Sequence, residues 1–245
     1  MKLFCLAHAG GSAPRLARAV GSRIRGVETV PLELAGRGTR WQEPGYAGWP
    51  DATRDLCERV AERLDGRPYG LLGHSVGALL AYELAQRMRE IGAVRPEILV
   101  VAARNPPHLP PEVPPRVTDL SDEDLFATLV SLGGVSPRAA GPLTYRTFLP
   151  ALRSDLRLAH HYAPRIDRQP LDTPLLVLYG KQDQLTSGVL MPQWGRYTAA
   201  GFEVRAFHGD HFFVLSNASD VAPIIGQRCL RPADRWDPRD FPLTG

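Results

Sequence analysis

The chain has 245 residues, 44% hydrophobic and 22% charged, with 29 Lys and Arg against 26 Asp and Glu for a formal charge of +3. That length suits one α/β domain with an insertion, expected here over 1–245, and no apolar run nears the roughly 18 residues of a membrane-spanning helix. Basic residues are scattered rather than blocked, which argues against nucleic acid, and the three cysteines (Cys5, Cys57, Cys229) lack CxxC spacing, so neither a disulfide framework nor a metal site is expected and a reducing cytoplasm fits.

The opening "KLFCLA" (2–7) reads as a first strand; its apolar stretch is shorter than the roughly 7–15 residues of a signal-peptide core. The turn "HAGGSA" (8–13) is glycine-rich but has neither GxGxxG nor GK[ST], so it is not a nucleotide-phosphate cradle. A second strand, "VETVPLEL" (27–34), precedes a helix that Asp51 is expected to cap, with Leu56, Val60 and Leu64 on one face. "YGLLGH" (69–74) is a third strand. After Ser75 the stretch "VGALLAYELAQRMREIG" forms a helix that Gly92 ends.

A fourth strand, "EILVVAA" (97–103), closes this half. From Asn105 to about Pro170 the alternation stops, beginning with "NPPHLPPEVPPR", whose prolines forbid both helix and ladder pairing. Ser121 with Asp124 is a capping pattern for a helix through Leu132, and "LTYRTFLPALRSDLRLAHHY" continues as one or two helices interrupted at Pro150. This helical insertion, about 105–170, is read as a lid. Strands "PLLVLYG" (174–180) and "FEVRAF" (202–207) follow, and residues from about 229 to 245 form a loosely attached tail. Near-continuous apolar strands alternating with helices imply an α/β fold, a mostly parallel sheet covered on both faces.

Gly73-His74-Ser75-Val76-Gly77 matches G-x-S-x-G in the required context, with a strand before it and a helix after it. A nucleophile in such a turn occupies a strained backbone conformation, and small residues two before and two after let strand and helix approach. A hydroxyl needs a base, and in this architecture the order is Ser, acid, His. His211, in "FHGDHFFVL" after the last strand, is the candidate base; His208 is its rival. Asp183, in "LYGKQDQLTS", is the candidate acid, with Asp210 the alternative, because the strand after the serine helix ends "VVAARNPP" without a carboxylate. The oxyanion donors are assigned to the N–H groups of Ala9 and Val76.

With these residues in view, the chain resembles the type II thioesterases that accompany polyketide synthases and nonribosomal peptide synthetases. The resemblance runs from Leu3 to about Leu215 through "LFCLAHAGGSA", "ELAGRGTR", "GHSVGALLAYELA", "PPHLPPEVPPRVTDLSDEDLFATLVSLGG", "FLPALRSDLRLAHHY", "QWGRYT" and "GDHFFVL". It implies an α/β-hydrolase fold, Ser75 as nucleophile, His211 as base, Asp183 as acid, a mobile lid and an acyl or peptidyl carrier-protein partner. It also implies hydrolysis of small or medium acyl thioesters, with no cofactor beyond the phosphopantetheine arm that carries the substrate. Ala7 stands where the family usually has proline, and Val76 where methionine is commoner. A small-molecule esterase, an acyltransferase, a product-releasing thioesterase and a silent hydrolase-fold binding protein are the competing readings.

Overall fold

The computed structural model describes residues 1–131, 141–165 and 167–230, with the backbone alone over 142–145. Six strands, β1 (Lys2–Leu6), β2 (Glu28–Pro31), β3 (Tyr69–His74), β4 (Ile98–Ala102), β5 (Leu175–Gly180) and β6 (Phe202–Phe207), form one sheet in the order β2-β1-β3-β4-β5-β6. Every pairing is parallel. The fold is therefore the expected doubly covered α/β sheet. β1, β3 and β4 are buried along their whole length, which is why they read as unbroken apolar runs. β2 is shorter than the run 27–34 suggested because it is an edge strand, and pairing with β1 stops at Pro31.

Helices cover both faces. Leu16 and Val20 of α1 (Ala13–Gly21) pack beside Val221 and Ile225 of a C-terminal helix against Leu3, Leu72 and Val100. On the other face, Leu56 and Val60 of α2 (Trp49–Ala61) and Leu79 of α3 (Val76–Glu90) pack against Phe4, Leu71 and Leu99. α3 ends as expected, with Gly92 at φ +67 just beyond Ile91. Asp51 is not the cap of α2: Pro50, whose fixed φ suits a first turn, starts the helix earlier, with Gly48 at the cap. Asp51 instead lies inside the first turn and accepts the Ala47 N–H at 3.2 Å.

The insertion contains a 3₁₀ turn (Pro115–Asp119), α4 (Asp122–Ser131) and α5 (Pro142–His160). Ser121 caps α4 by accepting the Asp124 N–H at 3.0 Å, while the expected end at Leu132 lies outside the described residues. Pro150 does not interrupt α5, which is one continuous helix. Proline removes one backbone bond, but Leu149, Leu152 and Leu156 on both sides of it are buried with Leu125, and that packing holds the axis. Arg153 adds hydrogen bonds to the carbonyls of Thr118 (2.5 Å) and Leu120 (2.6 Å) and to Asp122 (2.8 Å). The chain ends, within the described residues, with α6 (Phe213–Ser216) and α7 (Ala218–Cys229); residues 231–245 of the expected tail lie outside them. No helix among the described residues is long and apolar enough to cross a membrane.

The junction of β3 and α3 allows no side chains at its two glycines. A Cβ on Gly73 would overlap the backbone of Gly77 and Ala78, and one on Gly77 would overlap the carbonyls of Leu6 and Ala7 at the end of β1. Gly66, by contrast, has φ +84 but no atom within 4 Å of such a Cβ. Gly73→Ala or Gly77→Ala is therefore expected to destabilise the protein by more than about 3 kcal/mol, and Gly66→Ala by only about 1–2 kcal/mol. Chemical denaturation of the three variants checks the ordering; equal losses would show that the junction tolerates side chains.

Candidate active site

In an all-parallel sheet the carboxyl ends of all strands share one edge, so the loops after β1, β3, β5 and β6 converge. Those loops carry Ala9, Ser75, Asp183 and His211 respectively. Ser75 has φ 58 and ψ −120, a sparsely populated conformation for a side-chain-bearing residue, and is half-buried. Its N–H continues the ladder to Ala102 C=O at 2.8 Å, and its own C=O already accepts the Ala78 N–H of α3 at 2.9 Å.

Asp183 and His211 are brought together. The His211 Nδ1–H donates to Asp183 Oδ2 at 2.9 Å, and both side chains are buried. The same carboxylate accepts N–H bonds from Leu185 (2.8 Å) and Thr186 (3.3 Å) and the Thr186 hydroxyl at 2.5 Å. Burial alone would push this carboxyl up, but those donors, the His211 ring foremost, outweigh it and hold Asp183 below the usual carboxylate range. With Nδ1–H committed, Nε2 is left with its lone pair, the form a base needs. His211 and Ser75 line one cavity. The Ser75 hydroxyl makes no hydrogen bond among the described residues; contacts of this kind tighten when substrate is in place.

The rivals are occupied elsewhere. His208 is exposed, and its carbonyl accepts the Asn217 side chain; the Asp210 carboxylate accepts the Phe212 N–H at 2.8 Å, stabilising the turn. His160 donates to Val113 C=O at 2.7 Å, and His108 bonds Tyr197 and Gln193, each at 2.9 Å. Ala9 and Val76 line a small space with Ser75 and His211. Val76 is the first residue of α3, so its N–H has no carbonyl one turn earlier, and the Ala9 N–H has no acceptor among the described residues.

Two histidines were not singled out by the sequence. His74, fully buried, donates from Nε2 to the His211 carbonyl at 2.7 Å and so fixes the backbone of that loop. His8 donates from Nδ1 to Ala9 C=O at 3.0 Å and packs edge-on against His74 and Phe212, with ring centroids 5.2 and 5.0 Å away. Burial pushes the His8 pKa down to about 4 and, with help from the neighbouring imidazoles, holds His74 well below its usual value. A histidine ending a buried strand, and another opening a loop at the same sheet edge, were the available signals.

Above the serine, Val113, Val117, Leu125, Leu129, Leu152 and Leu156 of the insertion line an apolar cavity of about 60 Å³. At about 30 Å³ per water molecule, that is room for about two waters. A larger cleft of about 660 Å³ between α2, α3 and the segment after α5 contains none of the candidate residues. Among the described residues, no group of three or more His, Cys, Asp or Glu is placed to hold a metal ion.

Residues 1–229 match the family described as "Thioesterase domain". The chain is 33% identical over 236 residues to "Thioesterase PikA5" of Streptomyces venezuelae, covering 94% of this chain and 81% of that protein. It is 34% identical over 241 residues to a "probable cadicidin biosynthesis thioesterase" of Streptomyces griseus, covering 97% of this chain and 64% of that protein. Among solved structures, the RedJ thioesterase from the prodiginine biosynthetic pathway of Streptomyces coelicolor superposes with a TM-score of 0.85 at 32% identity, covering 93% of this chain and 90% of that one.

The buried neutral histidines set a sign for acid stability. Between the ordinary histidine value of about 6.5 and the folded value of about 4 for His8, the unfolded chain binds protons that the folded chain refuses. Stability therefore falls as pH drops through that window. The depressed Asp183 carboxyl acts in the same direction at lower pH, since its contribution is lost as pH falls through its folded value. The midpoint of urea unfolding should decline from pH 7 to pH 4, and His8→Gln should flatten that decline. A wild-type midpoint independent of pH across this range would refute the assignment.

Proposed function

The chain belongs to the thioesterase domain family, and from that premise we propose that it hydrolyses acyl groups from the phosphopantetheine arm of carrier proteins, through Ser75, His211 and Asp183. The biological role is editing of polyketide or nonribosomal peptide assembly lines, in the cytoplasm. The observation that carries this reading is the buried Asp183–His211 bond in a loop that shares one lid-covered cavity with the strained Ser75. The biosynthetic names of the relatives support the substrate class.

In the proposed reaction Ser75 Oγ attacks the thioester carbonyl while His211 Nε2 takes its proton. Asp183 holds the ring in the tautomer that accepts at Nε2 and stabilises the imidazolium that forms. The oxyanion rests on the N–H groups of Val76 and Ala9, aided by the positive end of α3. Collapse expels the pantetheine thiol and leaves an acyl-serine. A water molecule, deprotonated by His211, then attacks the acyl carbon, releasing the acid and restoring the hydroxyl. A thiol of pKa about 8.5 departs far more readily than an amine, so acid assistance to the leaving group matters less here than in a protease. The one prosthetic arm in this scheme belongs to the carrier.

Ser75→Ala and His211→Ala should each lower kcat by about 10⁴-fold or more, and Asp183→Asn by about 10³–10⁴-fold, because an asparagine favours the wrong imidazole tautomer. The measurement is release of free acid from acyl-carrier proteins, run beside short nitrophenyl esters. Retained turnover in Ser75→Ala would remove the nucleophile assignment, and faster hydrolysis of the nitrophenyl esters would favour a small-molecule esterase.

A further inference from the structure

The lid helix meets the loop after β2 at a buried ionic contact, and the same carboxylate reaches the first loop. Asp155 of α5 is 2% exposed and Arg37, from the loop after β2, is 8% exposed. Their pairing is bidentate: Arg37 Nη1 donates to Asp155 Oδ2 at 2.6 Å and Nη2 to Oδ1 at 2.5 Å. Asp155 Oδ2 accepts a further bond, from the Gly10 N–H at 2.8 Å. Gly10 follows Ala9, whose N–H is the assigned oxyanion donor.

The Ala9–Gly10 peptide is thereby held on both sides, with its N–H on Asp155 and its C=O on the Nδ1–H of His8 at 3.0 Å. Gly10 adopts φ +68, and a Cβ there would press on the Phe148 ring and Leu152, so α5 rests directly on this residue. Buried ion pairs are poor stabilisers, since apolar residues of similar volume often serve as well or better. Among the described residues, Arg37 Nε is buried without a partner. A contact kept only for stability has no need of that arrangement. A lone carboxylate beside an oxyanion would oppose the developing charge, whereas one paired through both oxygens to a guanidinium presents a fixed acceptor with its charge neutralised.

We propose that Asp155, oriented by Arg37, is a positioning residue that ties the lid helix to the 8–12 loop and aims the Ala9 N–H at the oxyanion. The oxyanion site is complete only when α5 is seated. This inference rests on the reading of Ser75 as nucleophile.

The test compares Asp155→Ala and the double variant Arg37→Met/Asp155→Leu with wild type and Ser75→Ala. The substrate is propionyl- or octanoyl-pantetheine, whichever the wild type turns over faster, and the thioether analogue of that chain reports ground-state binding. Breaking the pair alone destabilises the fold, whereas the apolar double variant should recover the wild-type melting temperature. Its kcat should nevertheless remain about 10²-fold low, the scale of a misplaced catalytic group, with KM and thioether affinity within twofold of wild type. Wild-type kcat in the stable double variant would overturn the inference, as would a loss carried by KM and thioether affinity. A Ser75→Ala variant that keeps its turnover would instead remove the underlying reading; an inactive Ser75→Ala beside a fully active double variant would remove this inference alone.

Discussion

A serine at φ 58 and ψ −120 stays there only if its surroundings leave no alternative. Such a conformation costs on the order of 1–3 kcal/mol, and it is held from three sides: the Ser75 N–H is fixed to β4, its C=O to the first turn of α3, and the flanking glycines are pressed against one another and against the end of β1. Moving the serine would mean moving the strand, the helix and the neighbouring strand together. That rigidity aims the hydroxyl above the sheet edge, and it puts the N–H of Val76, which has no acceptor among the described residues, at the start of α3 beside it.

The rest of the site is arranged around this fixed point by loops that are individually short and mutually bonded. Lys181 and Gln182 donate to the carbonyls of Phe207 and Gly209 at 2.8 and 3.0 Å, lacing the acid loop to the histidine loop. His74, the residue before the serine, donates to the carbonyl of His211. The β3–α3 turn and the His211 loop therefore share a hydrogen bond, and a shift of one is transmitted to the other. His74 serves in this role as a neutral donor, which its deep burial favours by disfavouring the charged form.

Much of this was legible in the chain because the signals are local. The strands at 69–74 and 202–207 have the boundaries their sequence runs gave: β3 is buried on both faces and reads as an unbroken apolar run, while β6, at the sheet edge, carries Glu203 and Arg205 between its apolar residues. Ser75 is marked by its glycines, and Asp183 and His211 by their places after successive strands. What could not be read has no local signature. Arg37 and Asp155 lie 118 residues apart and meet only through the packing of the insertion. Pro150 reads as an interruption because proline is a breaker in isolation, but tertiary burial of its neighbours overrides that preference. The start of α2 was missed because Asp51 is a good cap by type, while Pro50 one residue earlier is a better first-turn residue by geometry.

The lid combines two kinds of contact with different consequences for motion. Its inner surface, built from Leu125, Leu129, Leu152 and Leu156, is held by non-directional apolar packing, which can shift with little loss of buried area. Its Asp155 contact is directional and bidentate, and it tolerates little displacement. Displacement within the insertion therefore falls more easily on these apolar side chains than on the Asp155 contact. α4 meets α5 through the apolar side chain of Leu125 and also through the Arg153–Asp122 ion pair at 2.8 Å, so its first turn is held by a directional contact as well. The insertion thus joins an adaptable apolar surface to a fixed polar contact with the 8–12 loop.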